Sequence, residues 1–247
     1  MRIKIVLAAF LSFTATSLFA QTIKQNTGWF MFLNSTKFND KWGMHFDLQV
    51  RSDNNWNRVR NVLVRPGVTY YINKNSNATL GYLYTPTLLG TKINYIDAAG
   101  NSFTKGSLTE HRIWQQYIYN HQPWKGAALS HRFRLEQRFI ERQTDELFSQ
   151  RLRYFFRLVE PLIKQDEDAP FTKGVFAALQ NEVFFNIQNK DKLNGSFFDQ
   201  NRAYVAVGYR FSKSFDIEAG YLNQRIKGAN NNNTSNNAAQ LALYTRF

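Results

Sequence analysis

The sequence contains no cysteine, which removes disulfide frameworks, thiolate metal sites and the modified cysteine that follows a lipoprotein leader. Its mean hydropathy is −0.45, too polar for a set of apolar helical spans, each of which needs about 20 residues. No glycine-rich loop stands between a strand pattern and a helix pattern, so the phosphate-cradling motifs are missing. His45 and Asp47 share a face with Gln49, but one imidazole and one carboxylate fall short of a metal ligand set. No cofactor and no metal are therefore expected.

What is present begins with a leader. Two cations, Arg2 and Lys4, precede a short apolar run that ends at Leu18, Phe19 and Ala20. This is the form of a secretory signal peptide, too short to anchor the chain. Leu18 departs from the small residue usual at its position. Cleavage near Ala20 is expected, with one domain from 21 to 247. Of 31 basic residues the leader holds two, so the remainder sets 29 basic against 18 acidic residues, a net +11. In an exported chain that balance does not call for nucleic acid; anionic headgroups, anionic solutes or a cationic interior are the candidates.

Alternation is the dominant pattern. From Lys41 to Arg51, the residues Trp42, Met44, Phe46, Leu48 and Val50 fall on one face; Gly43, His45, Asp47, Gln49 and Arg51 fall on the other. No helix produces this period. The pattern returns at Leu129–Phe139 and Arg151–Val159, and further candidates lie near Trp29–Leu33, Val59–Ile72, Ala78–Thr87, Thr109–Asn120, Val175–Ile187, Arg202–Phe211, Phe215–Arg225 and Gln240–Phe247. Aromatics reach 16%, which suits strands showing one face to lipid and the other to water. The fold class expected is all-β, a transmembrane antiparallel up-and-down barrel of 10 to 12 strands.

Tight turns at Asn73–Asn77, His121–Gly126 and Ser212–Ser214 alternate with longer polar connections at Leu88–Gly106, Gln188–Phe198 and Ile226–Asn237. Short turns are expected in the periplasm and long loops outside. Two hairpins, Gly67–Tyr84 and Val207–Asn223, share a Gly-Tyr-Leu in the outgoing strand. An even strand count needs either Trp29–Leu33 outside the wall or a strand hidden in Leu88–Gly106. At the terminus, Leu241, Leu243, Thr245 and Phe247 share a face and end on phenylalanine, the form of a terminal-strand signal read by the barrel assembly machinery. That machinery and outer-membrane lipid are the expected partners.

The runs Glu110-His111-Arg112-Ile113-Trp114-Gln115-Gln116, Arg132-Phe133-Arg134-Leu135-Glu136-Gln137-Arg138-Phe139, Arg151-Leu152-Arg153-Tyr154 and Gln200-Asn201-Arg202 resemble the uncharacterised bacterial family catalogued as domain of unknown function 2490. The resemblance covers nearly the whole chain beyond the leader. It implies an outer-membrane barrel from a Bacteroidetes-type bacterium and brings no catalytic residues.

With the apolar faces turned outward, the interior receives Glu110, Arg112, Arg132, Arg134, Glu136, Arg138, Arg151, Arg153, Arg157, Glu182, Arg202 and Glu218. These charges belong inside because a cation on the lipid face costs about 2–4 kcal/mol at the bilayer midplane. One reading pairs them into a salt-bridge network that fills the barrel. Another leaves an arginine excess that attracts small anionic solutes, in a pore or a binding barrel. A third has a plugged barrel acting through its outer loops. Lipid hydrolysis is not favoured: His111 and His131 fall on the outward face and Ser130 on the other, which is no triad. Trp29, Trp42, Trp114, Trp124, Tyr117 and Tyr119 are expected in the aromatic girdles at the rims.

Overall fold

The alternating residues do form strands. In the computed structural model, which describes residues 22–96, 102–162 and 171–247, eleven strands close into one barrel: β1 (Thr22–Lys37), β2 (Trp42–Ser52), β3 (Val59–Tyr71), β4 (Ser76–Ile96), β5 (Ser102–His121), β6 (Ala128–Glu141), β7 (Glu146–Pro161), β8 (Gly174–Asn186), β9 (Phe198–Ser212), β10 (Phe215–Ile226) and β11 (Asn233–Arg246). The expected cleavage near Ala20 lies outside the described residues. Each strand pairs antiparallel with its sequence neighbours, and β1 closes on β11 in parallel. Closure leaves no free sheet edge.

Eleven lies within the expected range but satisfies neither even solution. Trp29–Leu33 is part of a 16-residue strand inside the wall. The described residues of Leu88–Gly106 belong to no loop and to no extra strand; β4 and β5 extend into this stretch to 21 and 20 residues, still paired from Ile93 with Lys105 to Ile96 with Ser102 beyond an irregularity. The pairing satisfies backbone groups that a loop of that length would leave to water. An odd count puts the start of β1 and the end of β11 at opposite rims, here called the amino rim and the carboxyl rim.

The outward surface is apolar around the middle of the wall. Val68, Leu80, Phe133, Val205, Val207 and Leu241 are all exposed, as expected from the alternation. Amide pairs interrupt it across strands, Gln115 with Gln137, Asn181 with Asn201, and Asn223 with Asn237, and Tyr84 and Ile113 continue the exposed apolar surface toward the amino rim. Leu241 and Phe247 face outward at the seam, where the Phe247 N–H donates to the Ser35 carbonyl at 2.9 Å.

The girdle expectation needs correction at two of its six residues. Trp42, Trp124, Tyr117 and Tyr119 are exposed, but Trp29 and Trp114 are buried inside. Trp114 finds room because Gly67 and Gly81, register partners on β3 and β4, carry no side chain; a Cβ on Gly81 would lie 2.2 Å from the indole. The second hairpin uses the same device, Gly208 making room for Phe176. Leu63 and Leu83 pack with Trp114, while Phe176, Ala178, Tyr204, Ala206, Leu222 and Ala238 cluster with Trp29 against Phe171, a residue of the β7–β8 connection.

Candidate functional site

The interior is organised around buried carboxylates that each serve several arginines. Glu136 on β6 is completely buried. Its Oε2 accepts from Arg151 Nη2 at 2.7 Å and Nε at 3.1 Å, and from Arg112 Nη1 at 3.4 Å; its Oε1 accepts from Arg153. Glu182 on β8 accepts from Arg153 Nη2 at 2.6 Å and Arg132 Nη2 at 2.7 Å, with Arg202 Nη1 at 3.8 Å. Glu110 on β5 takes both ends of the Arg112 fork at 2.8 Å and Arg138 Nε at 2.6 Å. Glu218 on β10 binds Arg157 from across the lumen and the Tyr244 hydroxyl at 3.3 Å. All twelve residues expected on the inward face stand there.

Register explains part of this arrangement. Glu136 lies opposite Arg151 and Arg134 opposite Arg153, so the β6–β7 pair alone sets three cations around one carboxylate. Charges removed from water each cost several kcal/mol unless paired and hydrogen-bonded, and the guanidinium fork meets a carboxylate through two bonds at once. Aromatic faces supply the rest: Arg153 sits 4.4 Å from the centre of the Phe184 ring and Arg134 4.6 Å from that of Trp114, within the range of cation–π attraction.

Several participants were not among the expected charges. Asp47 on β2 pairs with Arg65 on β3, both almost fully buried. Asp199 accepts from Arg151 Nη1 at 2.9 Å. Arg51 donates to Gln49 and lies 3.9 Å from the centre of the Trp29 ring. The alternation in β2 already turned Asp47 and Arg51 inward; Arg65, two residues from Leu63 and from Gly67, carries the same signal in β3. Trp29 gives none, because Trp29, Phe30, Met31, Phe32 and Leu33 are apolar on both faces.

Two cavities flank this belt. Toward the amino rim lies one of about 490 Å³, whose lining includes eight arginines and a single carboxylate, Asp199. Arg51, Arg60, Arg112, Arg138 and Arg151 stand on its wall, while Arg65, Arg153, Arg202 and Trp29 also line the second cavity, of about 250 Å³ toward the carboxyl rim. Among the described residues, Arg51 has no carboxylate within ion-pair distance, Arg202 reaches Glu182 only at 3.8 Å, and Arg134 is held by Gln116 instead of an acid. Between the cavities, Arg134, Glu136 and Arg153 are at most 4% exposed.

Residues 26–236 match the model of a family described as "Protein of unknown function (DUF2490)". The chain belongs to that family. The match runs from within β1 to within β11 and so takes in every strand of the barrel. No curated protein matches the chain. Among the described residues, no helix is long and apolar enough to cross a membrane, and no cluster of three His, Cys, Asp or Glu side chains is placed to hold a metal. The side chains considered for lipid hydrolysis are separated by the wall: His131 meets the Tyr154 hydroxyl at 2.9 Å, whereas Ser130 donates to Asn120 at 2.6 Å.

Proposed function

We propose that this DUF2490 chain is an outer-membrane barrel, delivered by its leader, that binds small anionic solutes in the cavity at its amino rim. The observation that carries this reading is the lining of that cavity: eight arginines and one carboxylate around about 490 Å³. Buried carboxylates already hold Arg65, Arg112, Arg138, Arg151 and Arg153, so the attraction for phosphate or carboxylate groups rests on Arg51 and Arg60, with Arg202 reaching Glu182 only at 3.8 Å, and in a low-dielectric enclosure it is stronger than in water. The apolar outward band supports insertion in a bilayer.

Binding is favoured over conduction by the interlocked Glu136, Arg134 and Arg153, which are at most 4% exposed. Titration calorimetry of the refolded barrel with pyrophosphate tests the proposal. Saturable binding that weakens with added salt is expected, and Arg51→Gln with Arg60→Gln should reduce it at least tenfold. A folded barrel that takes up no anion at low-millimolar concentration refutes it. In planar bilayers the barrel should be silent; steady anion-selective steps would replace binding by a pore.

A second reading, interaction through the amino rim, is favoured by β4 and β5, which exceed the 13 and 14 residues of the flanking β3 and β6 and carry their hairpin beyond the wall. Trimming residues 88–106 without unfolding the barrel should then abolish a surface phenotype.

A further inference from the structure

The smaller cavity differs in kind from the arginine-lined one. Its wall on β10, β11 and β1 presents Leu222, Tyr244, Met31 and Leu33. The wall across the lumen, on β5 to β8, presents Gln116, Arg132, Arg153 and Arg157 around the carboxylate of Glu182, with Ile118 and Phe155 among them. Apolar groups thus face cationic and polar ones across a space of about 250 Å³. At about 30 Å³ per water-sized group, that space takes roughly eight to ten non-hydrogen atoms.

The polar side of this cavity retains hydrogen-bonding capacity. His45 Nε2, Arg132 Nε and Gln240 Nε2 are buried and make no hydrogen bond among the described residues, and all three residues line the cavity. Buried polar atoms are normally satisfied, so a group that reaches them while covering the apolar wall gains on both counts. Access is at the carboxyl rim between β1 and β6, where Ser35, Tyr71, Asn77 and Ser130 line the space near the ends of their strands. The other half of that rim is occupied by Phe171 and by Asp216, which binds Arg210 and Arg246.

We propose that this cavity is a second binding site, for a compact amphipathic anion: a carboxylate on a short unbranched apolar chain. The chain would lie along Met31, Leu33 and Leu222, with the carboxylate at the Nε edge of Arg132, whose Nη2 holds Glu182 at 2.7 Å, and toward His45 Nε2. The site shares Trp29, Arg65, Arg153 and Arg202 with the cavity at the amino rim, but Arg132, His45 and the apolar wall of Met31, Leu33 and Leu222 line it alone, so it does not depend on anion binding there.

Octanoate, with about ten non-hydrogen atoms, is the probe, titrated into the full barrel held in amphipol so that no detergent chain competes. Saturable binding is expected, at least tenfold tighter than butyrate and insensitive to pyrophosphate. Arg132→Gln should weaken it at least fivefold, Leu33→Trp should fill the space and abolish it, and Arg51→Gln should leave it unchanged. Where Leu33→Trp fails to fold, as judged by heat-modified gel mobility, Arg132→Gln carries the test, since it leaves the apolar wall intact. Displacement of octanoate by pyrophosphate, or its loss in Arg51→Gln, would assign it to the amino-rim cavity and overturn the proposal. Pyrophosphate binding without octanoate binding would overturn it while leaving the first site standing.

Discussion

Glu136 shows what a single side chain does in this interior. It neutralises Arg151 and Arg153 directly and Arg112 at longer range, with no exposure to water. Removing one partner of a buried charge set leaves the others uncompensated, a loss of about 3–5 kcal/mol. Glu136→Gln should therefore lower the urea midpoint of the barrel by that equivalent. Asp40→Asn, which breaks a surface pair with Lys37 whose side chains are 102% and 48% exposed, should change it by less than about 1 kcal/mol. Equal effects from the two would show that the network contributes nothing. Which way Glu136 points was legible in the sequence, since period-two alternation between Arg134 and Arg138 leaves it no other face. Its partners were legible only in part. Arg151 follows from strand pairing, but Arg157 and Glu218 meet across the lumen from β7 and β10, and nothing local encodes that. Trp114 was misplaced for a related reason: an indole beside Ile113 and Gln115 reads as a rim residue until Gly67 and Gly81 are known to face it.

At the scale of the strand, the seam is the least legible element. The alternation of β2 is clear because its inward side is polar; β1 hides its period behind Met31 and Leu33, which face the smaller cavity and are as apolar as the outward Phe30 and Phe32. The sequence therefore marks only a short core of a 16-residue strand. The β4–β5 extension was hidden too, since an exposed ribbon has no buried face to impose alternation. The parallel register of the seam places Phe30 beside Leu241. Because the chain has no cysteine, Phe30→Cys with Leu241→Cys should form an intrachain disulfide on mild oxidation, paired strands lying about 4.8 Å apart. Phe30→Cys with Thr245→Cys, four residues further along β11 and about 13 Å away, should not. Loss of free thiol, read by mass spectrometry, checks both pairs, and the reverse outcome would mean that β1 and β11 join in another register or not at all.

For the molecule as a whole, the odd strand count decides which compartment each cavity faces. In an even barrel both termini share a rim; here β1 starts at the amino rim and β11 ends at the carboxyl rim. A barrel assembled from its terminal strand with Phe247 toward the periplasm then carries the start of β1 to the cell exterior. In the proposed outer-membrane barrel, the arginine-lined cavity would open outward with it, toward incoming solutes, and the amphipathic cavity would face the periplasm. An epitope tag placed immediately before Thr22 should label intact cells, and the same tag after Phe247 should label only after the outer membrane is permeabilised. Labelling of the carboxyl-terminal tag alone would invert the barrel, turning the arginines toward the periplasm and recasting the anion site as one that receives solutes from inside the cell.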